Sequence, residues 1–503
     1  MKALRTLRTA RSTAALATRQ QERVEMVAIQ SVTNGVNGKE KKGKSVASWP
    51  ERVLLRVIEC CAPLEAWSLS QTSRTLRSLI KAHDEIWTEC MHQLCSSKHI
   101  LPQSFTDLSQ AAKRAVRFAC IVSDQAPTTV WQAQPFTPFV RSPLIGAALA
   151  TGGRWLVTRS RDEVHVWDLG GHAVARIPAS PSAVFDLNNG VKIEPSKAQS
   201  EPLESVLQLS QMCDGNILIH VPHVTNGAVS SQVLMCDVSH EQPTLVQLRS
   251  LLGNDVPKGT SSFSFKNQLV AGEFETAMTV WRWDLDTWIT FTEDNFFDQP
   301  ACPSHTSVQL HLIPPYLLAV WGGEAKLFEI PKLRSRRPRG KPAFMTIPAL
   351  WSVRLPEAPN SNPCVGRILE DVYDESRPLH LALVYAKEEK LYNEVLVYRL
   401  PPPVASSKAP QSPVLVAQLN LAGNLISPTL AGGTVQNLPW SVMPAGDRLF
   451  LLRCGRKPNT ITRMCTLPAA VGQDAEVSMC AISGRIALLD RAKGSITILD
   501  MQE

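Results

Sequence analysis

The feature that most constrains the fold is a pair of short segments, joined by a polar turn, that recurs from residue 127 almost to the end of the chain. In the clearest copy, segments 152–158 and 164–169 flank Ser160, Arg161 and Asp162. Apolar and polar residues alternate in these segments, which predicts β-strands. Further second strands are predicted at 233–237, 278–284, 325–329, 395–399 and 495–500, with first strands at 216–220, 267–271, 316–321, 379–385 and 484–489, and another pair around Trp440 and 448–453.

The second strands tend to end on a large apolar residue followed by a polar one. Trp167-Asp168 and Trp283-Asp284 resemble the ending of a WD-type propeller blade. Steps of about 45 residues between some copies suit a four-stranded blade. The resemblance implies a β-propeller over residues 125–503 with about seven degenerate blades, and a count of about six to eight fits the spacing. The Gly-His element of the family is missing, and a β-sandwich or two smaller β domains is the alternative.

Two arginines are candidate substrate-binding residues on this domain. A propeller holds its loops on two faces of a rigid scaffold, and such loops commonly carry binding residues. Arg159 and Arg161 stand on the turn before Trp167, and clustered guanidinium donors suit a phosphate group. Solvated surface arginines are the alternative interpretation.

In residues 48–95 the apolar residues recur with the period of an α-helix. Pro50 suits the first turn of a helix because its missing N–H would have no partner there, and Pro63 is expected to close that helix. The first apolar stripe consists of Val53, Leu54, Val57, Ile58 and Cys61. Two further helices are marked by Leu76, Leu79 and Ile80 with Ser73 as a cap, and by Ile86, Trp87, Cys90, Met91 and Leu94 with Asp84 in the capping position.

This helical segment resembles an F-box. The family pattern runs Leu-Pro-x-Glu-hydrophobic-Leu, then Ile-Phe, later Val-x-x-x-Trp-x-x-Leu, and ends on an aliphatic residue before Trp. The matching residues are Pro50, Val53, Leu54, Val57, Ile58, Leu79, Ile86 and Trp87. The departures are Trp49 for the first Leu, Arg52 for the acidic residue, Thr72 for the Val and Leu76 for the central Trp. A generic three-helix bundle is the alternative.

A further helix is predicted within residues 96–124, over 105–122, where alanines and other apolar residues recur every three to four positions. It either links the F-box-like module to the next domain or belongs to the core of the same small domain. The predicted fold class is therefore a multidomain α+β chain: a small all-α module and linker helix, followed by an all-β propeller-like domain.

The surplus of positive over negative charge lies at the start of the chain. Residues 1–44 contain ten Lys or Arg and three Asp or Glu, whereas residues from 125 onward are nearly neutral, at 33 against 34. A neutral large domain argues against a nucleic-acid partner. The acid-poor start of the tail, residues 1–47, resembles a mitochondrial transit peptide, with a disordered basic extension as the favoured interpretation. No apolar run suggests a membrane span or a secretion signal.

Twelve scattered cysteines without zinc spacing predict reduced thiols and a location in the cytoplasm and nucleus. The F-box resemblance implies a substrate-recognition subunit of a Skp–cullin–F-box ubiquitin ligase. By that resemblance the propeller holds an unknown protein substrate, and no catalytic residue, cofactor or metal is expected. A non-enzymatic propeller scaffold capped by helices is the alternative. The implied contacts with the Skp-family adaptor are Trp49, Pro50, Val53, Leu54, Val57, Ile58 and Leu79.

Overall fold

A computed structural model gives the positions of most of the chain. It divides by packing into two compact units, residues 1–54 and 55–503. The basic tail and linker, residues 1–47, lie outside the described residues. The described ranges are 49–98, 102–122, 131–138, 140–171, 175–187, 207–211, 215–225, 228–240, 242–251, 263–266, 268–274, 277–292, 308–321, 323–333, 345–356, 358, 365–369, 378–387, 392–402, 412–422, 431–435, 438–445, 448–453, 460–467, 475–480 and 482–501.

Five α-helices precede the strands in the described part of the chain. They are α1 (Glu51–Glu59), α2 (Pro63–Thr72), α3 (Arg74–Ala82), α4 (Glu85–Lys98) and α5 (Leu108–Val122), with a 3-10 turn at Pro102–Ser104. The Ser73 hydroxyl accepts the Leu76 N–H at 3.1 Å, which confirms the predicted cap of α3.

Two helix-end predictions need correction. Pro63 does not simply close α1; it opens α2, where its missing N–H costs nothing, and the Glu65 carboxylate accepts the Ala62 N–H at 2.8 Å. The Asp84 carboxylate does not cap α4. It accepts hydrogen bonds from Ser109 at 2.9 Å and Lys113 at 2.7 Å, and so ties the start of α4 to α5.

In the residues that the structure describes, the strands form seven antiparallel sheets, of which one carries an added parallel strand. Together they make a β-propeller. The first sheet holds β2 (Leu144–Leu149), β3 (Trp155–Ser160), β4 (Glu163–Asp168) and β5 (Ala183–Asp186); the second holds β6 (Gln208–Gln211), β7 (Ile217–Thr225), β8 (Ala228–Asp237) and β9 (Thr244–Leu251). The third holds β10 (Phe263–Lys266), β11 (Leu269–Phe274), β12 (Ala277–Arg282), β13 (Thr287–Thr292) and the parallel β17 (Met345–Thr346).

The remaining sheets follow the same plan. The fourth holds β14 (Gln309–Ile313), β15 (Tyr316–Trp321), β16 (Glu324–Glu329) and β18 (Trp351–Arg354); the fifth holds β19 (Val365–Ile368), β20 (Leu379–Lys387), β21 (Tyr392–Leu400) and β22 (Val414–Ala422). The sixth holds β23 (Ala431–Val435), β24 (Leu438–Ala445), β25 (Arg448–Arg453) and β26 (Thr460–Thr466); the last holds β27 (Glu476–Cys480), β28 (Arg485–Asp490), β29 (Ser495–Met501) and β1 (Trp131–Phe136).

The ring closes by pairing the two ends of the propeller. Strand β1 lies antiparallel to β29, with Trp131 opposite Met501, so the strand that enters the propeller completes the last sheet. Neighbouring inner strands are also joined by side chains. Ser478 of β27 accepts the Leu149 N–H of β2 at 2.9 Å, and this bond satisfies a backbone donor at the end of an inner edge strand.

Apolar side chains fill the seams between adjacent sheets. Along each strand of the first sheet, successive side chains point alternately to the second sheet and to the last sheet, as a strand period of two requires. Trp155 and Val157 pack with Ile217 and Ile219 of the second sheet. Leu156 packs with Trp167, on the seam that also holds residues of the last sheet. The Trp167 ring donates its N–H to the Thr158 hydroxyl at 2.9 Å, so this tryptophan anchors the core of the propeller.

Candidate functional site

The first helix presents an apolar surface to solvent. Val53 and Val57, one helical turn apart, each keep 43% of their surface exposed, as does Trp49 just before the helix. Pro50 is also exposed, and its carbonyl accepts the N–H of Val53 at 2.9 Å and so starts the helix. Exposed apolar residues that cluster on one element are typical of a binding surface. We call Trp49, Val53 and Val57 the α1 stripe.

The other predicted adaptor contacts are buried. Leu54 and Ile58 are 3% and 1% exposed, and Leu79 of α3 is 9% exposed. Helical geometry explains the division, because Leu54 and Ile58 are one residue after Val53 and Val57 and therefore lie about 100° around the helix. Their side chains are buried in this structure, and the adaptor contacts expected of them stay predictions. Trp87 of α4 is buried too, at 8% exposed.

Among the described residues of the unit 55–503, contacts at Thr106 and at Phe118 join the helical region to the propeller. The Thr106 N–H donates to the carbonyl of Gly171, just after β4, at 3.0 Å. A side chain at Gly171 would collide with the backbone of Ser104, so the close approach requires glycine. Phe118 of α5, 1% exposed, packs among residues of the sixth and last sheets that include Leu449 and Met501.

The Phe118 contact was missed in the sequence interpretation. Its spacing was available, because Phe118 follows Ala111 and Ala115 by seven and three residues on the same helical face. The sequence cannot show that this face packs against strands more than 300 residues away, since that contact depends on closure of the ring.

Replacing Phe118 with alanine should lower the free energy of unfolding of the full chain by about 3–5 kcal/mol, because it leaves a cavity between α5 and the sheets. Urea denaturation followed by circular dichroism checks this value. The exposed Ser78→Ala change in α3 is the control and should stay within about 0.5 kcal/mol of the wild type. Equal stability of the two variants would contradict the packing role.

The two candidate arginines lie in different environments. Arg161 is exposed in the turn between β3 and β4. Arg159 was expected on the same surface turn but belongs to β3 and is 3% exposed. It faces inward because it has the same strand parity as Trp155 and Val157, which pack toward the second sheet. The structure therefore does not place them together as an exposed pair.

Burial changes the electrostatics around Arg159. It lowers the pKa of Arg159 to about 10, so the guanidinium still carries its charge at neutral pH. Burial, with a smaller effect of the Arg159 charge, lowers the pKa of His220 in β7 to about 3. This neutral imidazole is held by Ser231, with 2.6 Å between His220 Nε2 and the Ser231 oxygen. Arg159 thus places a buried cation in the seam between the first two sheets, whereas His220 faces the third sheet and stacks on Phe265.

Among the described residues, no group of three or more His, Cys, Asp or Glu side chains is arranged to hold a metal ion. No helix in the described ranges is long and apolar enough to cross a membrane.

No protein-family model and no curated protein matches the chain. Among solved structures, it is similar to the β-propeller domain of Cps50 (Swd1) from Myceliophteria thermophila, at 13% identity and a TM-score of 0.42, over 74% of this chain and 100% of that one. It is also similar to the WD40 domain of SCAP from fission yeast, at 9% identity and a TM-score of 0.37, over 72% of this chain and 85% of that one. At these scores the likenesses carry no argument about function.

Proposed function

We propose that this chain is the substrate-recognition subunit of a Skp–cullin–F-box ubiquitin ligase. The single observation that carries the proposal is the exposed α1 stripe, which lies in the segment that resembles an F-box. Leaving three large apolar residues in water is unfavourable unless a partner covers them. In this proposal the partner is the Skp-family adaptor, and Trp49, Val53 and Val57 contact it.

The receptor itself performs no bond chemistry in this scheme. It holds an unknown protein substrate on the propeller and so raises the effective concentration of substrate lysines near the ubiquitin-conjugating enzyme. The contacts made by Thr106 and Phe118 support this role, because they fix α5 against the sheets that would hold the substrate. A fixed spacing limits the volume that a bound substrate can explore.

Purification of the tagged full chain from cells, followed by mass spectrometry, tests the proposal. We expect a Skp-family adaptor and a cullin in amounts close to that of the bait. Mixing the purified chain with purified adaptor should then give a single complex on size-exclusion chromatography. A folded chain that recovers neither protein and forms no complex with the adaptor would overturn the ligase proposal.

The second candidate is a non-enzymatic interaction scaffold. The packing of Phe118 against the last sheets favours it, since helices that cap a propeller need no other role. The scaffold predicts recovery of protein partners without adaptor or cullin, so the same purification separates the two candidates.

A further inference from the structure

Arg159 is a buried cation without a counter-ion among the described residues. Its Nε and Nη1 atoms are fully buried and have no hydrogen-bond partner. A guanidinium cannot lose its charge at physiological pH. Leaving such a charge buried and uncompensated costs several kcal/mol. An anion that pairs with the guanidinium would therefore stabilise the folded chain.

The nearby carboxylates have other partners. Glu163 in β4 contacts His165 at 3.1 Å and Arg141 at 3.5 Å. It also alternates with Val164, the residue paired with Arg159, and so points to the opposite face of the sheet. The Asp162 carboxylate accepts the Ser142 hydroxyl at 2.7 Å. Neither carboxylate neutralises Arg159.

The surroundings of Arg159 are polar as well as apolar. Val164 and Val221 line the seam between the first and second sheets. Gln232, which pairs with Val221, donates from Nε2 to the Leu187 carbonyl at 3.3 Å. Its Oε1 is buried without a partner, like the two nitrogens of Arg159. Among the described residues, the unpartnered Arg159 nitrogens are donors that an anion can accept, whereas the Gln232 oxygen is itself an acceptor and does not bind an anion.

We propose that this seam binds one oxyanion, a carboxylate or phosphate group, whose charge pairs with the Arg159 guanidinium. Entry is from the end of the sheet that carries the β3–β4 turn, because Arg159 is the second-last residue of β3 and Arg161 beyond it is exposed. Rotation of the long Arg159 side chain toward that turn exposes its donors. The oxyanion is either a free ion or an acidic side chain of a bound protein; the second source rests on the proposed function.

Thermal unfolding of the full chain at constant ionic strength tests the site, with inorganic phosphate and acetate as probes. Arg159→Met keeps the length and apolar stem but removes the charge, and Arg161→Met is the matched exposed control. Without oxyanion, Arg159→Met should unfold at a higher temperature than the wild type, because it removes the uncompensated charge. At about ten times its dissociation constant, one of the two probes should raise the midpoint of the wild type and of Arg161→Met by about 2 °C, and that of Arg159→Met not at all.

Equal responses of all three chains to both probes would overturn the site. So would a lower midpoint of Arg159→Met in oxyanion-free buffer, which would show that Arg159 already has a partner. Should Arg159→Met fail to fold, calorimetric titration of the wild type and of Arg159→Ala with both probes decides: the proposal requires binding to the wild type and at least about tenfold weaker binding to the variant.

Capture of partners from cells then identifies the source of the oxyanion. Loss of captured substrates from Arg159→Met, with the adaptor retained, assigns the group to a bound protein. Unchanged substrates together with the phosphate or acetate response assign the site to a free ion. The unfolding and titration measurements contain neither adaptor nor substrate, so failure of the oxyanion site is distinct from failure of the ligase proposal.

Discussion

A chain that carries Val53→Asp together with Val57→Asp should fold as the wild type does and lose binding to the proposed Skp-family adaptor. Both side chains are exposed, so the unfolding free energy changes little. In a complex with the adaptor both carboxylates would be buried without partners, which costs several kcal/mol. We expect affinity for the purified adaptor to fall at least about 100-fold, measured by isothermal titration calorimetry.

Arg52→Asp is the matched control for this variant. It changes the net charge by the same amount, and Arg52 is exposed on a different side of α1. Its affinity should stay within about threefold of the wild type. Leu54→Ala would be a poor probe, since Leu54 is buried and its truncation costs stability. Retained affinity of the folded double-aspartate chain would remove the α1 stripe from the interface.

The strand pairs were the part of the fold that the sequence predicted best. The predicted segments 316–321 and 484–489 correspond to β15 and β28 almost residue for residue. A short half-buried strand has a local signal, because its alternation and its turn residues are contained in about ten positions. The parallel strand β17 had no such signal: it is two residues long and pairs with β13 across more than 50 residues of sequence.

Helix α2 and Arg159 show where local signals fail. In α2 the buried residues are Pro63, Ala66 and Ser70, which are small or polar, so no apolar stripe marked the helix. Arg159 stands next to a polar turn and was assigned to it, because arginine is rarely buried. The strand parity with Trp155 and Val157 gave the opposite answer. The prediction followed the usual exposure of arginine, whereas the alternation of residues along the strand correctly placed Arg159 on the buried face.

A buried ion pair lies where the ring closes, at the junction of the last and first sheets. Arg485, at the start of β28, donates from Nε to Asp500 of β29 at 2.7 Å, and both side chains are almost fully buried. Arg485 also donates from Nη1 to the Gly153 carbonyl at 2.6 Å and to the Gly170 carbonyl at 3.2 Å. Asp500 accepts the Ala175 N–H at 2.6 Å. The pair therefore joins the last sheet to three points around the first.

Arg485→Met should lower the free energy of unfolding by about 3–5 kcal/mol, because Asp500 is left as a buried charge without its cation. Urea denaturation checks this value against Arg282→Met, which breaks a partly exposed pair with Asp284 and should cost less than about 1 kcal/mol. The double change Arg485→Met with Asp500→Leu removes both charges and should recover part of the loss. Equal effects of Arg485→Met and Arg282→Met would mean that β1–β29 pairing and apolar packing close the ring without the ion pair. A larger effect of Arg485→Met would mean that the polar cluster of Arg485 and Asp500 contributes much of the free energy that stabilises the closed ring. This cluster lies at the junction where the first and last sheets meet.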